Sequence, residues 1–275
     1  MKIAIIGCGY VGTVIARQWR EKFGFLITAT TTTPERVPEL ETVADRVMVV
    51  AGNDAEGLQR VLTDQDVVLV TVGAKGGDYQ SAYLGTAKTL AELLPQMPTV
   101  KQVIYTSSCA VYGDQQGEWV DETVAITPAT PKAQILYDTE QVLLSLSDPQ
   151  LKVCVLRLGG IYGPGRTLFQ IYHRSAGKTR GGMGNEPSNW IHLDDIVGGI
   201  EFARHQQLQG IYNLVDDDKI TTRELLEQLF AYYQLPPVTW DLTQPSGRGY
   251  HAKLSNARIK QAGYQFIYPY RQITQ

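Results

Sequence analysis

The first thirty or so residues constrain this chain more than any other stretch. Lys2-Ile3-Ala4-Ile5-Ile6 is a short apolar, β-branched run of the kind that forms a buried central strand. It breaks into Gly7-Cys8-Gly9-Tyr10-Val11-Gly12, after which Thr13 to Lys22 has the apolar spacing of a helix with Val14, Ile15 and Trp19 on one side. Strand, glycine turn and helix in that order form a dinucleotide-binding fingerprint. Gly7 permits the tight turn, Gly9 lets the backbone approach a pyrophosphate, and Gly12 lets helix and strand pack closely. The backbone of Tyr10 and Val11 lies at the helix N-terminus, whose N–H groups and dipole favour phosphate. The bland alternative is a tight βα turn and no more.

Phe25 to Thr30 reads as a second strand, ending about twenty residues past the glycines, where NAD-binding chains carry an acid for the ribose 2′-hydroxyl. Here stand Thr30, Thr31, Thr32 and Thr33, then Pro34, Glu35 and Arg36, with no carboxylate between Glu21 and Glu35. Hydroxyls of Thr31 and Thr32 with Arg36 suit a 2′-phosphate that an acid would repel. The expected cofactor is NADP, with NAD possible; a polar loop with a solvated arginine is the alternative.

Further strands are expected at Val47–Ala51, Asp66–Ala74, Val100–Tyr105 and Val153–Leu158, with helices at Leu58–Leu62, Tyr79–Leu94 and from about Thr127–Pro131 to Leu146. Alternation at this spacing gives an α/β fold, a Rossmann-type doubly wound parallel sheet. Ligand then lies over the strand carboxyl ends, near Gly73 and Ala74. Asn53, at the end of the third strand, is placed to meet an adenine edge or to cap the following helix. Thr106, Ser107 and Ser108 end the fifth strand, where a hydroxyl points at the cofactor cleft; hydroxyls that only satisfy the strand's end are the alternative.

With 275 residues, 43% hydrophobic, the chain can bury a sizeable core. A net charge of −3 and the absence of a Lys/Arg cluster exclude a nucleic-acid partner and an anionic membrane surface. Cys8, Cys109 and Cys154 are far apart and form no metal or disulfide pattern, so no metal is expected. The longest apolar stretch is too short to span a bilayer. Met1 runs straight into a strand with no leader, as expected of a cytoplasmic protein.

These pieces, with Thr106-Ser107-Ser108-Cys109-Ala110-Val111-Tyr112-Gly113, Arg157 to Arg166, Trp190 to Ile196 and Ile211 to Asp216, resemble an extended short-chain dehydrogenase/reductase of the NAD-dependent epimerase/dehydratase kind. The glycine spacing, and the ending Ser255 to Ile259 with Gly263-Tyr264 and Tyr268-Pro269, resemble an atypical subgroup. The resemblance implies a dinucleotide domain over residues 1–163 with returning segments at about 184–218, and a substrate lobe over 164–183 and 219–275. It implies cofactor contacts at Ser107, Gly160 and Ile161, and a small-molecule substrate met by Cys109, Arg166, Arg180 and Arg248. A homodimer through the helices at Tyr79–Leu94 and Ala133–Leu146 is possible on the same ground.

The family's chemistry rests on Tyr-x-x-x-Lys one helix after the fifth strand, with a Ser or Thr from that strand. Ser108 matches the hydroxyl. If Glu140 is the Glu that commonly follows the Lys by four, Leu136 stands at the Lys position and Lys132 at the Tyr position. Tyr137 is the remaining acid/base candidate on that helix; otherwise it is an ordinary packed or exposed tyrosine. Cys109 and Ala110, where dehydratases carry acids, disfavour dehydration. Two functions follow: an oxidoreductase or epimerase-like protein acting on a small carbonyl or sugar-derived substrate, or a non-catalytic NADP-binding sensor. His192 is expected to be structural, and Asp195 to cap a helix beginning at Ile196.

Overall fold

In the computed structural model, residues 1–128, 130–247 and 250–273 are described. The chain begins β1 (Lys2–Ile6), α1 (Tyr10–Phe23), β2 (Leu26–Thr31), α2 (Val37–Glu41), β3 (Arg46–Val49), α3 (Ala55–Leu62) and β4 (Val67–Val70). A π-helical turn, Gln80–Gly85, leads into α4 (Thr86–Leu93), then β5 (Gln102–Ser108), β6 (Asp114–Val120), α5 (Pro131–Leu144) and β7 (Lys152–Leu158). There follow β8 (Gly160–Tyr162), α6 (Leu168–Tyr172), β9 (Thr179–Gly181), β10 (Trp190–His192), α7 (Leu193–His205) and β11 (Gly210–Leu214). The chain closes with α8 (Thr222–Tyr232), β12 (Thr239–Asp241), β13 (His251–Leu254) and α9 (Ala257–Gln261).

Two compact units emerge. The first comprises Met1–Ser108, Pro131–Arg157 and Val197–Tyr212; the second comprises Cys109–Thr130, Leu158–Ile196 and Asn213–Gln275. The first holds the body of a seven-stranded sheet ordered β11-β7-β5-β4-β1-β2-β3. β1 pairs in parallel with β2 (Ile3 opposite Ile27) and with β4 (Ile3 opposite Val67). Ile3, Ala4 and Ile5 are fully buried, as are Val68 and Leu69, so these strands are apolar on both faces and read as unbroken runs. One core packs β1, β4, β5 and β7 against α3, α4 and Leu143 of α5. The strand order turns around between β1 and β4, so their carboxyl ends form the switch point where α/β sheets bind ligands.

The second unit pairs β8 with β10, β9 with β12 and β6 with β13, each in parallel. Its core sets Tyr162, Tyr172 and Trp190 against Leu225, Leu229 and Phe230 of α8. Thr221 and Glu224 form a reciprocal capping box at the start of α8. Asp195 behaves differently from its sequence expectation. The helix begins earlier, at Leu193, and the Asp195 carboxylate accepts the backbone N–H groups of Ile267 (2.7 Å) and Tyr268 (2.8 Å). Its role is to tie down the C-terminal segment. His192 is buried, its ring tilted against that of Tyr268 at 4.1 Å and edge-on to Tyr162 at 5.1 Å.

Among the described residues no helix is long and apolar enough to cross a membrane, and no group of three or more His, Cys, Asp or Glu side chains is placed to hold a metal.

Candidate dinucleotide site on the glycine turn

The glycine turn follows from steric limits. Gly7 has φ of +77°, and a Cβ there would lie 2.7 Å from the Val72 Cα, so a side chain is both strained and blocked. A Cβ on Gly12 would press on Thr71 Oγ1 at 3.0 Å, Cys8 Sγ and the Ile5 side chain, which sets the close approach of α1 to the sheet. Gly9 is the opposite case: a Cβ there would meet only the Gly7 carbonyl, at 3.8 Å. That open face is what a phosphate-bearing ligand needs. The turn is held by Thr30, whose Oγ1 accepts the Gly7 N–H at 2.9 Å and whose carbonyl accepts the Cys8 N–H at 2.8 Å. On the other side Thr71 donates its hydroxyl to the Gly7 carbonyl at 2.9 Å.

Helix α1 starts with no side-chain cap and no acid in its first turn. Backbone N–H groups of the first turn of a helix lack an intrahelical carbonyl, and no residue of this first turn is acidic, so the positive end of the dipole is not offset from within the helix. Cys8 is buried, and burial pushes its thiol up to about 11, so it sits there neutral.

Arg36 lies across this turn. Its Nη1 donates to the Cys8 carbonyl at 2.6 Å and its Nη2 to Thr13 Oγ1 at 3.2 Å. Its Nε and Nη2 also meet the two Glu39 oxygens, each at 3.0 Å. The threonine run divides its work. Thr30 braces the glycines, Thr31 is buried and accepts the Thr33 N–H at 3.1 Å, and Thr32 is exposed. Asp54 caps α3 by accepting the Gly57 N–H at 2.9 Å, which leaves exposed Asn53 without that duty. A Cβ on Gly85, in the π-helical turn, would come within 3.2 Å of the Asn53 Cβ. Gly73 is exposed, with open space where a Cβ would stand, and Ala74 is half-buried beside it. Open backbone at Gly9 and Gly73, an uncapped helix start and a guanidinium at the end of β2 together fit a nicotinamide dinucleotide.

Ser107 and Ser108, adjacent in β5, face opposite ways. Ser107 is buried and donates its hydroxyl to Glu140 Oε1 at 2.5 Å. Glu140 is also bonded by Arg157, with Nη2 to Oε2 at 2.6 Å and Nε at 3.1 Å from both oxygens; neither side chain of the pair is exposed. Ser107 is therefore bound into a charged network joining α5 to β5 and β7, while half-buried Ser108 turns the other way. On α5, Leu136 is buried, Tyr137 is half-buried and Lys132 is exposed in the first turn. The Lys132 ammonium sits 5.1 Å from the centre of the Tyr79 ring.

The remaining candidates lie in the second unit. Cys109 is buried. A Cβ on Gly160 would lie 2.7 Å from the Trp190 ring, so that glycine is a packing requirement. Arg166 donates its Nε to the Ile161 carbonyl at 3.0 Å. Arg180 donates to Ser175 Oγ at 3.3 Å and lies over the Tyr172 ring. Arg248 lies outside the described residues. The structure brings the glycines, Thr30 and Arg36 around one turn, leaves the Thr31 hydroxyl bonded to Thr33, and gives Arg166 and Arg180 separate partners. Sequence reasoning missed Thr13, Thr30, Thr71 and Glu39; of these only Glu39, three residues after Arg36 on a helical stretch, had a local signal.

The model of the NAD dependent epimerase/dehydratase family matches residues 3–214. Protein YeeZ of Escherichia coli strain K12 is 29% identical over 278 residues, covering 98% of this chain and 96% of its own. The structure of a functionally unknown conserved protein from Silicibacter pomeroyi DSS is 26% identical, with a TM-score of 0.78 over 98% of this chain and 94% of that one. At 16% identity, the UDP-glucuronic acid 4-epimerase of Bacillus cereus, solved with UDP-glucuronic acid and NAD, has a TM-score of 0.78 over 95% of this chain and 92% of its own, and so shares the fold. With its glycine turn, its strand order and a family match across most of its length, the chain belongs to the NAD dependent epimerase/dehydratase family.

Proposed function

We propose that this chain binds NADP(H) and acts as an oxidoreductase or epimerase-like protein on a small carbonyl or sugar-derived substrate, without the usual Tyr-x-x-x-Lys pair. The observation that carries the cofactor choice is Arg36, pinned across the glycine turn at the end of a strand that brings no acid to that place. Gly7, Gly9, Tyr10, Val11 and Gly12 present backbone to the pyrophosphate; Thr31, Thr32 and Arg36 meet the 2′-phosphate; Asn53 meets the adenine. Gly73, Ala74, Ser107, Gly160 and Ile161 complete the cofactor contacts. When bound, the nicotinamide supplies or accepts a hydride. The chain's own part is to bind and orient. Ser108 directs its hydroxyl to the substrate oxygen, and Tyr137 is the phenol on α5 left to move a proton. Cys109, Arg166, Arg180 and Arg248 are the substrate contacts in this reading, residues 164–183 and 219–275 the substrate lobe. A homodimer through α4 and α5 and a cytoplasmic setting belong to it as well.

A second reading, a non-catalytic NADP-binding sensor, is favoured by one observation. Counted back from Glu140, the family's Tyr and Lys positions fall on Lys132, which is exposed, and Leu136, which is buried. Hydride exchange on bound cofactor with a panel of nucleotide sugars and small carbonyls separates the two, since a sensor requires none.

The cofactor reading is tested by nicotinamide fluorescence titrations of the wild type and Arg36→Ala with NADPH and NADH. The wild type is expected to prefer NADPH, and Arg36→Ala to lose about 1.5–3 kcal/mol of NADPH binding, the worth of hydrogen bonds to a charged group. Equal affinities in the wild type, or an Arg36→Ala protein that binds NADPH normally, overturn the 2′-phosphate assignment.

A further inference from the structure

We infer that Glu39 is a specificity-determining residue of the dinucleotide site: it occupies Arg36 as a resident anion that a 2′-phosphate must displace, and so sets how strongly the site prefers NADP(H) over NAD(H). The inference rests on the reading that a dinucleotide lies on the glycine turn with its ribose at Arg36.

The argument starts from the donors. A guanidinium has five N–H groups in a fixed fork. Two of those on Arg36, from Nε and Nη2, go to the two carboxylate oxygens of Glu39. One from Nη1 goes to the Cys8 carbonyl, and the other from Nη2 to Thr13 Oγ1. Among the described residues that leaves a single Nη1 donor. A phosphate bound bidentately by arginine needs two parallel N–H groups. As the fork is arranged, the 2′-phosphate must take donors that Glu39 holds.

The two sides of the fork are unequally held. Towards the turn Arg36 is fixed on a backbone carbonyl and a helix-anchored hydroxyl; Thr13 itself donates to the Gly9 carbonyl at 2.8 Å. Towards solvent, the Glu39 side chain is 55% exposed and that of Arg36 22%. Glu39 is thus the solvent-facing partner of the fork, on a short helix anchored by fully buried Leu40. An exposed ion pair of this kind is weak enough for a doubly charged phosphate to break, yet its rupture is charged against NADP(H) alone. NAD(H) presents a ribose hydroxyl in place of the phosphate. A hydroxyl is a donor, which a carboxylate accepts, so Glu39 need not leave. One arginine and one glutamate three residues apart therefore let a strand end without any acid of its own serve both cofactors, with the balance tuned by Glu39.

The test uses the full chain, titrated with NADPH and NADH at low ionic strength, as wild type, Glu39→Gln, Glu35→Gln and Arg36→Ala. Glutamine keeps the length of Glu39 and removes the charge. Glu35 is the control: it is exposed on the same turn and pairs with no part of Arg36 in the structure. Glu39→Gln is expected to tighten NADPH binding by roughly fivefold and to leave NADH unchanged or slightly weaker, while Glu35→Gln moves either by less than about twofold. If Glu39→Gln changes NADPH affinity no more than Glu35→Gln, or shifts both cofactors alike, the inference is overturned. If Arg36→Ala binds NADPH as the wild type does, the 2′-phosphate site itself is misplaced. That result fails the proposed cofactor reading, not the Glu39 inference alone.

Discussion

The turn after β1 and the helix α5 are both landmarks of this family, and the chain treats them in opposite ways. In the turn, geometry chooses the residues. Gly7 has no room for a Cβ, Gly12 almost none, and Thr30 and Thr71 brace the two sides by hydrogen bonds. In α5, geometry chooses only the face turned to the sheet. Glu140 and Leu136 are buried there, whereas Lys132 is exposed, with its ammonium over Tyr79. A position fixed by the fold keeps its residue whatever the chain does chemically. A position fixed only by chemistry can lose its residue with the fold intact, which is what the proposed reading assigns to the Tyr and Lys positions. In this chain packing enforces the glycine turn but not the outer face of α5.

The sharpest way to break the comparison is at the one α5 residue the fold does enforce. Glu140→Ala leaves Arg157 buried without its carboxylate and Ser107 without its acceptor. Removing one partner of a buried pair costs about 3–5 kcal/mol. A comparable loss is expected in chemical denaturation, and Glu140→Ala combined with Arg157→Met is expected to recover part of it. A single substitution costing under about 1 kcal/mol would show that the network does not tie α5 to the sheet. Next in size is Gly7→Ala. Left-handed backbone strain of about 1–2 kcal/mol adds to overpacking against Val72 of about 1–3 kcal/mol. The variant is expected to lose about 2–5 kcal/mol of stability and all measurable NADPH binding; a stable protein that still binds cofactor would remove the turn from the site.

How much of this was legible in the sequence depends on whether a feature's partners are near in the chain. β1, the glycine turn and α1 could be read directly, because burial on both faces leaves continuous apolar runs and the turn needs glycine; β4 was found but is only Val67–Val70 where Asp66–Ala74 was expected. Boundaries moved by a residue or more: β2 runs Leu26–Thr31 where Phe25–Thr30 was expected, and β3 is Arg46–Val49, earlier and shorter than Val47–Ala51. The long helix expected from Tyr79 opens with a π-helical turn that no periodicity of 3.6 announces. The β6–β13 pair was invisible. Asp114 to Val120 is mostly polar, and its partner strand lies more than a hundred residues away at His251–Leu254. Asp195 was misjudged for the same reason, since what it binds, Ile267 and Tyr268, is distant. At the site, Arg36 was legible and Glu39 was overlooked, although the spacing of the two carries the ion pair.

The smallest expected effect is the one that most sharpens the contrast. Lys132→Tyr places a tyrosine where the proposed reading, counted back from Glu140, puts the family's Tyr, without supplying a lysine four residues on, where Leu136 is packed. The exchange removes a cation–π contact worth about 0.5–1 kcal/mol at an exposed site and offers a tyrosine–tyrosine contact of about 0.5–1.5 kcal/mol in its place. On an exposed first turn, then, the unfolding free energy should stay within about 0.5 kcal/mol of the wild type. Cofactor affinity should stay within about twofold, because the glycine turn and Arg36 are untouched. Denaturant unfolding and an NADPH titration on the same preparation check both. If either fails, with a loss of several kcal/mol or of cofactor binding, Lys132 is held by more than the Tyr79 ring and the outer face of α5 is not the tolerant surface its exposure indicates. If both hold, the fold does not dictate the residue at that position, in contrast to Gly7.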